Sequence, residues 1–174
     1  MDNNDRLIRI RYALDIKNAE LIEIFKLGGM KLTLEEVEKL FLKSKDRYYD
    51  QDGNQMDSDG KEDNIHCTNM TLESFLNGLI IYKRGPMELK PGQKAAPEFI
   101  IKEHGSINNV MLKKLKIALS LTSDDILEII NDADVTVSKG ELGAFFRKRT
   151  HPKYVECGDK YARNFLKGLA LKQR

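Results

Sequence analysis

The feature that most constrains this chain is that it spells one pattern twice. Asn3 to Ser44 and Asn108 to Arg149 align without a gap at an offset of 105 residues, and both begin Asn-Asn. Leu7, Ile10, Ala13 and Leu14 return as Leu112, Leu115, Ala118 and Leu119. Leu21, Ile22, Ile24 and Phe25 return as Ile126, Leu127, Ile129 and Ile130, and Val37, Leu40 and Phe41 as Leu142, Phe145 and Phe146. The offset then falls to 90: Cys67 matches Cys157, and Phe75-Leu76-Asn77-Gly78-Leu79 matches Phe165-Leu166-Lys167-Gly168-Leu169. Apolar residues three and four apart form one face of a helix. The expected fold is therefore all-α, an internal duplication of a four-helix repeat. Two copies pack together because one small unit gains by burying a shared face.

Start and stop signals mark the helices. Thr33 to Glu36, Thr122 to Asp125 and Ser138 to Glu141 fit the capping box, in which hydroxyl and carboxylate each satisfy an orphan backbone N–H. Asn18 is expected to cap the second helix. Gly28-Gly29 ends that helix through a left-handed residue, and Gly85-Pro86 stops the fourth. Arg6, Arg9 and Arg11 fall on faces away from the apolar stripe.

The change of offset locates an insertion. The first copy holds 15 extra residues, and they fall in the stretch Asp46 to Asp63, which carries seven acids and two bases. It is turn-rich and lacks periodicity, so a solvated loop is expected. Asp50-x-Asp52-x-Asn54 opens like a calcium loop, but Gln55 and Lys61 stand where a glycine and a bidentate glutamate belong. The organisation is a first repeat over 1–84 with its insert at 46–63, a linker containing Pro86, Pro91 and Pro97 over 85–107, and a second repeat over 108–174. Within the linker, Phe99-Ile100-Ile101 is a candidate to dock on the core.

Composition narrows the class. Hydrophobic residues are 41% and charged residues 32% of 174, enough for a core and against global disorder. The net charge of +2 divides into −3 for residues 1–107 and +5 for residues 108–174. Two cysteines do not make a disulfide scaffold. The opening Met-Asp-Asn-Asn-Asp is unlike a signal peptide, and no apolar run reaches the roughly 20 residues of a membrane helix. A cytoplasmic protein without a membrane partner is expected.

Both copies together resemble the YehS-like family of small bacterial cytoplasmic proteins, a tandem domain of unknown function. The likeness rests on Asn108-Asn109, Leu112 through Ile126, Glu156-Cys157-Gly158-Asp159 and Phe165 through Leu169, and in the first half on Phe75 through Leu79 and Lys83-Arg84-Gly85. The acidic insert departs from a compact member. The resemblance implies the fold and supplies no activity, substrate or catalytic residue.

Chemistry-bearing residues are sparse. Cys67, Cys157, His66 and His151 would make a valid zinc set only if the two halves brought them together, because no two lie at the usual local ligand spacing. Otherwise each cysteine is a small apolar side chain beneath the fourth helix of its copy. A reactive Cys157 at a helix start would be an enzyme's nucleophile, but no histidine is placed to act as its base. Catalytic triads, phosphate loops and dinucleotide motifs are absent, so no catalytic residue and no cofactor is assigned and the chain is expected not to be an enzyme. The Asp124-Asp125 pair is explained as a helix start.

The basic residues stand out. Arg147, Lys148, Arg149 and Lys153 follow the third helix of the second copy, and Lys160, Arg163 and Lys167 lie along the fourth. Such clusters fit a protein partner or a phosphate backbone, although basic residues at helix C-termini are also favoured by the macrodipole. Two functions are therefore expected: an interaction or adaptor module with a protein partner, and alternatively a nucleic-acid-binding regulator using this face.

Overall fold

A computed structural model describes residues 1–43, 48–49, 52, 55–56, 64–85, 98–101 and 104–173. The elements run α1 (Asn3–Leu14), α2 (Asn18–Leu27), α3 (Leu34–Leu40), β1 (Tyr48–Tyr49), β2 (Gln55–Met56), α4 (Asn69–Arg84), α5 (Ile107–Ala118), α6 (Ser123–Asp132), α7 (Lys139–Phe145) and α8 (Asp159–Gln173). A single 3₁₀ turn, His104–Ser106, leads into α5. The architecture is all-α apart from β1 and β2. These pair antiparallel, with Tyr48 opposite Met56 and Tyr49 opposite Gln55. Both lie in the insert expected to be a solvated loop; its Asp50 calcium start lies outside the described residues.

The caps form largely as the sequence predicts. Thr33, Thr122 and Ser138 each accept from the backbone N–H three residues on, at 3.0–3.2 Å. Thr68 does the same for α4. Asn18 is not a cap. It is the first residue of α2, and its side chain accepts instead from Arg11 Nη2 at 2.8 Å. Glu20 accepts from the Lys17 N–H in its place. At the end of α2 the left-handed residue is Gly29, with φ 92°, while Gly28 stays at φ −81°. The corresponding position in the other half is Asp134, with φ 62°.

The two halves interlock. α2 packs on α4 and α6 on α8, within their own halves. By contrast α1 lies chiefly along α8, and α5 along α4. Each half therefore lends its first helix to the last helix of the other, and one continuous core results. It runs through Leu7, Ile10, Ile24, Phe25, Phe75 and Leu79 to Leu112, Leu115, Ile129, Phe165 and Leu169, all fully buried. The close helix crossings need glycine. A Cβ on Gly78 would stand 1.8 Å from the Ile24 carbonyl oxygen, and one on Gly168 1.9 Å from that of Ile129.

Corresponding positions make the same polar ties. Asn4 donates to the carbonyls of Leu40 and Ile65 and accepts from the Cys67 N–H. Asn109 donates to those of Phe145 and Val155 and accepts from the Cys157 N–H. Each asparagine thus fastens the start of one helix to the segments before and after the loop that follows the third helix. Asn3 and Asn108 reach the carbonyls of Cys67 and Cys157 in the same way.

Arg6 departs from expectation: it is buried, not outward. Its Nε donates to Asn108 at 3.0 Å across the halves, its Nη1 to Asn3, and Asp159 stands 3.7 Å away. Desolvation lowers the guanidinium pKa, and the neighbouring carboxylates oppose that shift.

Candidate interaction surface

The helix pairs α1–α8 and α4–α5 occupy corresponding places, yet their outer seams differ. Along α4–α5 the seam is filled. Lys114 Nζ meets Glu73 at 2.9 Å, also contacts Asn77, and donates to the Glu98 carbonyl at 2.7 Å. The Glu73 carboxylate in turn accepts from the N–H groups of Ile100 and Ile101. Lys114 and Glu73 are both buried. Burial lowers the Lys114 pKa, and its bond to Glu73 works against that. The segment Glu98–Ile101 is thereby clamped over the seam, and Ile101 packs against the core as the sequence predicts for this stretch. Phe99 remains half exposed.

Along α1–α8 the seam is open. Ile8, Tyr12, Leu166, Ala170 and Leu171 floor a groove of about 700 Å³, with Asp5, Arg9, Lys43 and Lys167 on its rim. Tyr12 and Leu171 are each 59% exposed, unusually bare for large side chains on packed helices. Arg9 Nε is bonded to Asp5 at 3.0 Å. A smaller hollow of about 300 Å³ continues past Ile8 and Tyr12 to Arg11 and Phe41.

The structure divides the seven sequence-predicted basic residues. Arg147, Lys148 and Arg149 line one pocket of about 200 Å³ with Lys113, Phe146 and Ile100. Lys167 lines the α1–α8 groove instead. Lys153, Lys160 and Arg163 are exposed and line neither pocket. Lys160 lies over the Tyr161 ring at 5.9 Å.

The cysteines sit apart from both pockets. Each is buried, and each thiol lies 3.6 Å from the carbonyl of the next residue. Burial pushes both thiols up to about 12, which leaves almost no thiolate at neutral pH. No three of Cys67, Cys157, His66 and His151 come together, and among the described residues no group of three or more His, Cys, Asp or Glu side chains could hold a metal ion. Each cysteine is held in its own half by Asn4 or Asn109, which keeps the four apart.

The family model for proteins of unknown function designated DUF1456 matches residues 3–85 and 108–174. The chain belongs to the DUF1456 family. Uncharacterized protein YehS of Escherichia coli (strain K12) is similar to it, 39% identical over 173 residues that cover 99% of this chain and 97% of the relative. No solved structure matches. Of the residues the DUF1456 model does not match, 86–107 include the clamped segment. No described helix is long and apolar enough to cross a membrane.

Sequence reasoning missed both seams of this DUF1456 chain. The Lys114 clamp had a faint signal, since Glu73 and Asn77 are polar residues one turn apart beside the leucines of α4. The groove had another in Leu171, two residues beyond the buried Leu169 and so off the inward stripe.

Proposed function

We propose that this chain is a non-enzymatic helical interaction module that engages a protein partner through the α1–α8 groove. We also take its two halves to be copies of one ancestral four-helix unit. The observation that carries the functional reading is the groove itself: an apolar floor of about 700 Å³ with Tyr12 and Leu171 exposed and cations on the rim. Concave apolar surface with a polar rim is the usual anatomy of a binding site. The buried, protonated thiols support the non-enzymatic part, because they disfavour Cys157 as a nucleophile. A photo-crosslinking residue in place of Leu171 is expected to give discrete adducts in cells that Tyr12→Asp abolishes. The same adducts from a crosslinker in place of Glu38, an exposed residue of α3, would defeat the reading.

A second reading has its own observation. Lys113, Arg147, Lys148 and Arg149 surround one pocket, a cationic arrangement suited to a phosphate backbone. Under it, Arg147→Glu with Lys148→Glu and Arg149→Glu weakens DNA or RNA binding and flattens its salt dependence. Unchanged binding by that variant excludes it.

A further inference from the structure

We infer that the α1–α8 groove takes an extended peptide from another protein, in which adjacent aliphatic residues are flanked by carboxylates. This rests on the groove being an interaction surface, as proposed above, and specifies what it recognises.

The filled seam shows what such a groove holds. At the 105 offset, Val110, Lys113 and Lys148 correspond to Asp5, Ile8 and Lys43, and each set lines a pocket. Lys114, which grips the segment through the Glu98 carbonyl, and Asn77, which Lys114 contacts, correspond at the 105 and 90 offsets to Arg9 and Lys167 on the open side. One seam thus contains the segment Glu98–Ile101. The other, lined only by α1, α8 and Lys43, keeps about 700 Å³. That open space is room for a segment of the same kind. The floor of Ile8, Tyr12, Leu166 and Leu171 suits aliphatic side chains such as the Ile100-Ile101 pair that lies along the filled seam.

The charges set the chemistry. On the filled side, the carboxylate of Glu73 receives backbone N–H groups. The corresponding residue on the open side is Arg163, exposed one turn before Lys167 on α8. Asn77 gives way to Lys167 itself. Where the closed seam presents an acceptor for amides, the open one has Lys43 and Lys167 on its rim as donors for carboxylates, with Arg163 outside the groove's lining. An apolar floor between those cations favours a peptide over a nucleic acid, whose phosphates need cations along the whole track.

The test uses the full chain and a fluorescent heptapeptide, Asp-Glu-Phe-Ile-Ile-Asp-Glu, read by anisotropy at low salt. Saturable binding is expected, and Lys43→Glu with Lys167→Glu, both on the groove's rim, should weaken it by about tenfold or more. Both side chains are exposed, so the variant keeps its fold. Leu171→Ser should weaken it as well, and the charge-inverted peptide with Lys and Arg at the ends should not bind. Equal binding by the charge-reversal variant overturns the inference. So does a single-stranded oligonucleotide that displaces the peptide while binding more tightly. So does a chain lacking residues 46–63 that alone acquires binding, since the groove's occupant would then be the chain's own acidic stretch. If the heptapeptide fails while the Leu171 crosslinks persist, the peptide chemistry is wrong and the interaction surface stands.

Discussion

Asn4 and Asn109 each close three hydrogen bonds to backbone groups that lie far away in sequence. Truncating either leaves two carbonyls and an N–H without partners inside the protein. Asn109→Ala is expected to cost about 3 kcal/mol or more, at about 1 kcal/mol or more per orphaned group, measurable by urea denaturation. The Asn-Asn pair was legible in the sequence as the mark of a repeat, but its role was not. An amide's partners depend on the loop geometry of residues some 36 to 63 positions away, and no local period encodes that. The thiols below these asparagines give a pH dependence. Their pKa is raised to about 12 in the folded chain, against about 8.5 when unfolded. Below about pH 8.5 both states hold the protons and the contribution to stability is whole. Above it the unfolded chain loses protons first, so stability falls as pH climbs towards 12. The wild type should therefore lose more stability between about pH 8 and pH 10.5 than a Cys67→Ala, Cys157→Ala variant does.

Helix positions were readable at the scale of elements because caps and apolar stripes are local. Which helix leans on which was not. The contacts of α2 with α4 and of α6 with α8 depend on a glycine at the crossing, and Gly78 and Gly168 stand out in the sequence only as members of the repeated motif. Gly168→Ala would place a methyl 1.9 Å from the Ile129 carbonyl oxygen, on backbone that cannot swing aside. We expect a loss of about 2 kcal/mol or more, which outweighs the gain of about 1 kcal/mol in helix propensity. Gly143→Ala, on α7 with nothing within 4 Å of the new methyl, should show the propensity gain alone and stabilise by up to about 1 kcal/mol. Thermal unfolding of the two variants side by side reads both signs. The basic cluster was also legible, but that Arg147, Lys148 and Arg149 share one pocket while Lys167 lines the other follows from the crossing of helices rather than from their sequence.

For the whole molecule, the sequence predicted two repeats packed together, and the first helix of each half is docked on the last helix of the other. The Lys114–Glu73 pair sits at one of those exchanged contacts and ties down the segment between the halves. Glu73→Ala leaves a buried ammonium without its carboxylate, an expected loss of about 3–5 kcal/mol. It should also speed hydrogen exchange at the Ile100 and Ile101 amides, while Glu73→Leu with Lys114→Met recovers much of the stability. The exchanged helices also give Arg6 a meaning beyond stability. Its corresponding residue is Met111, and the anion it faces, Asp159, corresponds to the neutral Asn69. Two first halves placed together would bury two Arg6 cations without the Asp159 carboxylate each now faces, and two second halves would leave two Asp159 carboxylates without Arg6. Only one of each balances. The charge at this junction works as a mating code: Arg6 and Asp159 mark the two sides of the junction as different in a chain that spells nearly the same pattern twice.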